Sequence, residues 1–126
     1  MINKVNAVTQ KVLDERGTEV QGVIRALIKI SRDFAADPTA WAAAMVPYAP
    51  NTDEAGLQAL AATFAGTWSV NGGMNATDLQ YTQDWLYSTE DFADVTPVTL
   101  DQWVDFGPVD AVLADVGTVE GDAVAR

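Results

Sequence analysis

The sequence contains no cysteine and no histidine among its 126 residues. These absences exclude disulfide bonds, thiolate zinc sites, nucleophile pairs that use cysteine or histidine, and acid–base chemistry by imidazole. The sequence also lacks a phosphate-binding loop, a dinucleotide fingerprint and a nucleophile motif. We therefore expect a protein that is not an enzyme, with no catalytic residue, no metal site and no cofactor.

Long hydrophobic runs are absent as well. No apolar stretch approaches the ~18 residues that a membrane-spanning helix needs. The start, Met-Ile-Asn-Lys, is not followed by the apolar segment of a secretory signal peptide. For the chain as written we expect a cytoplasmic location and no insertion into a membrane.

Basic side chains are scarce after residue 32. The chain has 7 Lys and Arg against 18 Asp and Glu, for a net charge of −11, and six of the seven cations lie in the first 32 residues. Because so acidic a surface repels phosphate, we expect no nucleic-acid partner. The basic N-terminal segment has two ways to meet the acidic remainder, either within one chain or between two chains.

What the sequence does contain is a globular composition, with 48% hydrophobic and 20% charged residues. The length fits one domain. Apolar spacing predicts an all-α protein with five or six short amphipathic helices in one compact domain over residues 1–117. We expect at most one weak N-terminal strand, and a frayed tail over residues 118–126.

The predicted helices share apolar side chains at i, i+3 and i+4 and a capping residue at the start. Over residues 1–16 the spacing is helix-like, but the stretch Val5–Val8 also fits a strand. The further helices are expected at 18–36 (capping box Thr18 and Gln21), 38–46 (N-cap Asp37), 51–66 (capping box Asn51 and Glu54), 76–88 (cap Asn75 or Thr77), 99–106 (capping box Thr99 and Gln102) and 108–116 (closed by Gly117).

The most distinctive stretch, Trp-Ser-Val-Asn-Gly-Gly-Met-Asn, covers residues 68–75. Asn71, Gly72 and Gly73 favour a turn with positive φ, whose backbone N–H groups can bind an anion. Trp68 offers a face for stacking, so these four residues are candidates for a small-molecule site. The alternative is structural, with a tight turn that Trp68 anchors in the core.

Three further aromatic residues, Tyr81, Trp85 and Trp103, extend this candidate site to an aromatic pocket for a small-molecule ligand. Aromatic residues at helical spacing also serve as core or interface residues, and that alternative stays open. The nearby carboxylates Asp101 and Asp105 are four residues apart. Since no spacing matches a calcium loop, we interpret them as part of a solvated acidic face.

A longer pattern joins these segments. It consists of Asp37-Pro38 with an Ala-rich helix, the motif of residues 68–75, Asp-Trp-Leu-Tyr at 84–87, Asp91-Phe92 and the closing helix 108–117. This order resembles the C-terminal part of periplasmic solute-binding proteins of ABC transporters, in the group that serves nitrate, sulfonate, taurine and thiamine-precursor uptake. The resemblance spans most of residues 5–117.

Members of that family are much longer than this chain and close two α/β lobes around their ligand. The resemblance implies one of two functions. The chain is a non-catalytic helical protein related to the C-terminal lobe, which associates with itself and binds a small molecule. Alternatively, it is a fragment of a full periplasmic protein that captures a small nitrogen- or sulfur-containing solute.

Helices that lack a sheet to pack on retain apolar inner faces. A large exposed apolar patch is unfavourable on a monomer, so we expect a homodimer, with twofold symmetry as the simplest arrangement. The side chains that require a new partner are Val23, Ile24, Leu27, Ile28, Phe34, Leu57, Leu60 and Phe64.

Overall fold

The computed structural model of the protein describes residues 5–124 and contains five α-helices in that range. No strand occurs there, so the predicted all-α class is confirmed. Ile2 and the rest of residues 1–4 lie outside the described part. The helices are α1 (Gln10–Ala36), α2 (Pro38–Met45), α3 (Glu54–Thr63), α4 (Ala76–Tyr87) and α5 (Gly107–Val116). Short 3₁₀ turns occupy Val46–Tyr48, Ala65–Thr67, Glu90–Phe92 and Leu100–Gln102.

Helix α1 joins two segments that the sequence predicted as separate. It begins after Thr9, whose hydroxyl accepts a hydrogen bond from the N–H of Val12 at 3.3 Å. The break expected near Gly17 is present only as a kink, because Arg16 has non-helical angles (φ −136°, ψ 31°) within the helix. The predicted capping box at Thr18 is wrong, since Thr18 lies inside α1.

The cap of α2 is the one that the sequence predicted, and the cap of α4 is Asn75, one of the two predicted alternatives. Asp37 accepts from the N–H of Thr39 at 3.0 Å, and Pro38 occupies the first turn, where its missing N–H is harmless. Asn75 accepts from the N–H of Asp78 at 2.8 Å. These short-range bonds confirm that local sequence sets where these two helices begin.

The start of α3 corrects the sequence analysis. The predicted capping box at Asn51 is wrong, since the N-cap is Asp53, whose carboxylate accepts from the N–H of Gly56 at 2.8 Å. Residues 50–52 form a turn instead. The helix ends at Thr63, before the expected stop at Gly66, and passes into the 3₁₀ turn Ala65–Thr67.

The last two predicted helices differ in outcome. The capping box of Thr99 and Gln102 is confirmed, but it opens a single 3₁₀ turn, so the short helix expected over 99–106 is wrong. Helix α5 is confirmed and ends at Val116, followed by the C-cap Gly117, which has φ +71°. A positive φ at this place favours glycine, because other residues meet steric strain there.

Two packing units form the interior. Helices α1 and α5 enclose a cluster of Ile28, Val109, Val112 and Leu113, with Ile24, Met74 and Val116 packed against it. Helices α2 and α3 pack against each other, and Ala42 of α2 and Leu57 and Ala61 of α3 are buried. The small alanine side chains allow the close approach of these two helices.

The apolar set that was expected to need a partner divides in the folded chain. Ile28 and Leu57 are buried, and Ile24, Phe34 and Phe64 are half-buried. Val23, Leu27 and Leu60 remain exposed. The helices thus cover part of these faces themselves and leave part of α1 uncovered.

The sequence predicts a frayed tail after Gly117, and within this stretch Val119 and Asp122 bond to the loop before α4. Asn71 of the loop before α4 forms hydrogen bonds with the backbone of Val119 and Asp122. Residues 125 and 126 lie outside the described part. We call residues 118–124 the C-terminal segment.

No helix within residues 5–124 has both the length and the apolar character that crossing a membrane requires.

Candidate functional site

The loop between the 3₁₀ turn Ala65–Thr67 and α4 contains the turn predicted from Asn71-Gly72-Gly73. Both glycines have positive φ, +90° at Gly72 and +66° at Gly73. A Cβ at Gly72 would lie 2.7 Å from Cγ2 of Val109, and a Cβ at Gly73 would lie 2.5 Å from Oγ of Ser69. Both positions therefore require glycine, for backbone geometry and for space.

The N–H groups of this turn hold a carboxylate, and the carboxylate belongs to the chain itself. The N–H of Asn71 donates to Oδ1 of Asp122 at 2.8 Å, and the N–H of Gly73 donates to Oδ2 at 2.7 Å. Each carboxylate oxygen thus has its own backbone donor. Charge-assisted bonds of this kind are stronger than bonds between neutral groups.

The side chain of Asn71 binds the same segment by its backbone. It is only 3% exposed, and its Nδ2 donates to the carbonyl oxygens of Val119 at 2.8 Å and Asp122 at 3.0 Å. Its Oδ1 accepts from the N–H of Val119 at 3.0 Å. A buried amide needs such partners, since an unpaired polar group costs about 1–3 kcal/mol.

Arg32 of α1 joins the loop to the end of α5. Its Nε donates to the carbonyl oxygen of Val70 at 2.9 Å, and its Nη2 donates to that of Gly117 at 2.7 Å. Nη1 donates to the carbonyl oxygen of Val116 at 3.3 Å. A cation at the C-terminal end of a helix interacts favourably with the helix dipole. We call Arg32, Asn71 and Asp122, with the N–H of Gly73, the Asn71 network.

Arg25 of α1 also contacts α5, through an ion pair with Asp115. Lys11 and Arg16 pair with Glu15 and Glu19 of the same helix. The basic N-terminal segment thus meets acidic groups within one chain, which is one of the two arrangements that the charge distribution allowed. The pairs within α1 are exposed and contribute little to stability.

Two exposed carboxyls have shifted pKa values. The hydroxyl and N–H of Thr39, with the N–H of Ala40, hold the pKa of Asp37 below its ordinary value of 3.8. The backbone N–H of Glu19 and the guanidinium of Arg16 lower the pKa of Glu19. Both shifts stabilise the charged form of the carboxyl, and neither residue belongs to the Asn71 network.

Trp68 is placed by aromatic packing. Its ring lies 5.3 Å from that of Phe34 and 5.6 Å from that of Phe64, and Phe64 also meets Trp41 edge-on at 4.9 Å. The indole Nε1 is buried and has no hydrogen-bond partner in the described part of the chain. These contacts favour the structural alternative, in which Trp68 anchors the loop in the core.

The other predicted aromatic residues lie elsewhere. Tyr81 and Trp85 are exposed on α4, and Trp103 is exposed beyond the 3₁₀ turn Leu100–Gln102, where its Nε1 donates to Oε1 of Gln83 at 2.8 Å. The ring contacts found between residues 5 and 124 include Trp68 but none of these three. The structure therefore does not bring Trp68 together with Tyr81, Trp85 and Trp103.

The sequence predicts that the carboxylates near residue 100 form a solvated face. Asp101 and Asp105 are exposed, and Oδ1 of Asp105 accepts from the N–H of Gly107 at 2.8 Å at the start of α5. Across residues 5–124, no group of three or more Asp and Glu side chains is arranged to hold a metal ion.

Sequence reasoning found Asn71, Gly72 and Gly73 but missed Arg32, Val119 and Asp122. The Asn-Gly-Gly turn is a local signal, because a turn with positive φ presents its backbone N–H groups. Nothing local indicates that Asp122 supplies it, because the two parts are about 50 residues apart in sequence. Searches for similar proteins give no lead, since no family model, no curated protein and no solved structure matches the chain.

Proposed function

We propose that this protein is a non-catalytic helical protein that acts by associating with a second copy of itself. The observation that carries the proposal is an apolar stripe on the longest helix. Val23, Leu27 and Ile30 of α1, called the α1 stripe, are 59%, 45% and 46% exposed.

The spacing of the α1 stripe supports helix pairing. Its members are four and three residues apart, so they share one side of the helix. The contact between α1 and α5 is made by Ile24 and Ile28, which lie on a different side of α1. Helix α1 therefore has apolar side chains on two sides, and α5 covers only one of them.

The energetics favour a second copy as the occupant. Burial of one large aliphatic side chain contributes about 1.5–3 kcal/mol. Three such residues from each copy, in a twofold arrangement, provide a continuous apolar seam between two α1 helices. Exposed apolar seams of this kind are typical of protein interfaces.

The effect of charge on self-association depends on which contacts the arginine side chains already make. Arg25 and Arg32 are already engaged with α5 and the loop in the same chain. Two chains that each carry a net charge of −11 repel one another. The association should therefore strengthen at high salt, where repulsion is screened over a Debye length of about 3 Å at 1 M. A dimer held by attraction between basic and acidic segments would weaken instead.

The absence of a family match leaves the resemblance to solute-binding proteins, and the solute capture that it implies, as a prediction. The non-catalytic part of the proposal rests on the Asn71 network. Its guanidinium bonds to the amide of Asn71, and its carboxylate and amide bond to the backbone of the chain.

The test is the mass of the full chain by light scattering across micromolar concentrations, at low and high salt. We expect a dimer for the wild-type chain and a loss of affinity of at least about tenfold for Leu27→Glu, since 1.4 kcal/mol is tenfold in affinity. Leu86→Glu is the matched control, because Leu86 is an exposed leucine on α4 and the change adds the same charge. A monomeric wild-type chain, or equal effects of the two substitutions, would contradict the proposal.

A further inference from the structure

We propose that the Asn71 network is a binding site for an acidic peptide segment, and that the C-terminal segment of the chain occupies this site in cis. The ligand class is an extended peptide with a glycine followed by a carboxylate residue. This inference is independent of the α1 stripe and of self-association.

The first element of the site is an anchor for a carboxylate. The N–H groups of Asn71 and Gly73 converge on the two oxygens of Asp122 at 2.8 Å and 2.7 Å. Successive backbone N–H groups in a turn with positive φ form concavities that bind anions.

The second element of the site is a set of hydrogen bonds to the backbone of the peptide. Asn71 bonds both the N–H and the carbonyl oxygen of Val119, and also the carbonyl oxygen of Asp122. Peptide-binding domains use main-chain hydrogen bonds of this kind for affinity, with a few positions that give specificity. The site therefore tolerates different side chains at the position of Val119.

The third element selects glycine before the carboxylate. Gly121 has φ +155°, and a Cβ there would lie 2.3 Å from Cγ2 of Val70. A residue with a side chain at this position would be pushed away from the loop. Carboxylate, backbone and glycine together define a pattern that an external peptide can reproduce.

The C-terminal segment is held in a way that permits exchange. Val119, Glu120 and Val124 are exposed, so the segment is held by its hydrogen bonds to the loop and by the contact of Gly121 with Val70. Arg32 holds the carbonyl oxygens of Val116 and Gly117, which precede the segment. The loop and the end of α5 thus remain joined by Arg32 when the segment leaves.

The test uses the full chain and a blocked peptide, acetyl-Thr-Val-Glu-Gly-Asp-Ala-Val-amide, which copies residues 118–124. Two variants release the segment by different means. Asp122→Asn removes the anion, and Gly121→Ala makes the segment clash with Val70. The backbone N–H signals of Asn71 and Gly73 in NMR spectra report binding at the site, and calorimetry gives the affinity.

Both released variants should bind the peptide at least about tenfold more tightly than the wild-type chain, whose own segment competes at an effective concentration of about millimolar. A control peptide with Asn in place of Asp should bind at least about tenfold more weakly, since it lacks the charge-assisted bonds. Gly73→Ala in a released variant should abolish binding, because the new Cβ would displace the turn at Ser69.

Three results would overturn the proposal. One is that folded Asp122→Asn and Gly121→Ala chains bind no peptide. Another is that the acidic and the Asn-containing peptide bind equally. The third is that neither released variant folds, because the segment is then an integral part of the fold and not a ligand.

Discussion

Two regions of this protein are built on different principles. Helices α1 and α5, with the Asn71 network, combine a buried apolar cluster with hydrogen bonds between residues far apart in sequence. Helix α4 and the turns after it, up to Trp103, are joined by bonds over smaller separations, such as the 20 residues between Gln83 and Trp103, and keep many apolar side chains exposed. The difference indicates that the first region carries most of the free energy of unfolding.

The sharpest test of this comparison makes the same substitution in both regions. Leu113 is buried against α1, whereas Leu86 is exposed on α4. Leu113→Ala should lower the free energy of unfolding by about 2–4 kcal/mol, because it leaves a cavity in the core. Leu86→Ala should change it by less than about 1 kcal/mol. Urea unfolding monitored by circular dichroism measures both, and equal losses would remove the distinction between the regions.

A smaller effect should come from the polar part of the first region. Asn71→Ala removes the amide that satisfies the backbone of Val119 and Asp122, at a cost of about 1–3 kcal/mol. Asn51→Ala is the matched control, since Asn51 is exposed in the turn before α3. The same unfolding measurement applies. If the Asn51 variant loses as much stability, the buried network contributes nothing specific.

The smallest expected effect is a pH dependence of the stability that a helix cap contributes. Bonds from Thr39 lower the pKa of Asp37 in the folded chain, so this cap stabilises α2 above the ordinary pKa of 3.8. The contribution is lost as the pH falls through the folded-state value. Asn75, the cap of α4, carries no charge and should not respond.

The measurement is the melting temperature of wild type and of Asp37→Asn between pH 7 and pH 2. Asparagine retains the cap without the charge, so the difference between the two proteins should shrink towards the acid end. Changes in the overall charge affect both chains alike and cancel. A difference that stays constant with pH would show that the ionised carboxylate has no special role.

Much of the fold could be predicted because its signals are short-range. Asp37 and Asn75 cap helices within three residues, and the box of Thr99 and Gln102 closes in the same way. The predicted helix boundaries are wrong where the sequence offers two possible caps or a possible helix break. Asp53 replaces Asn51 as the cap of α3, and α1 continues through Arg16 with a kink where a break was expected.

The candidate site was predictable only in part. Asn71, Gly72 and Gly73 were identified, because a turn that needs positive φ leaves a clear pattern in the sequence. Arg32 and Asp122 were missed, and Trp68 was linked to Tyr81, Trp85 and Trp103, which the fold keeps apart. Such pairings depend on tertiary contacts and not on spacing.

By itself, the sequence determined that this chain is helical, where several helices begin, and that its middle and C-terminal parts carry no cations from residue 33 to residue 125. These properties result from composition and from bonds within one turn of chain. Only the tertiary structure decided that Ile28 is buried while Leu27 is exposed, and that Asp122 fills the Asn71 turn. Neighbouring side chains on α1 have similar hydrophobicity, so the position of α5 alone determines which of them is removed from water.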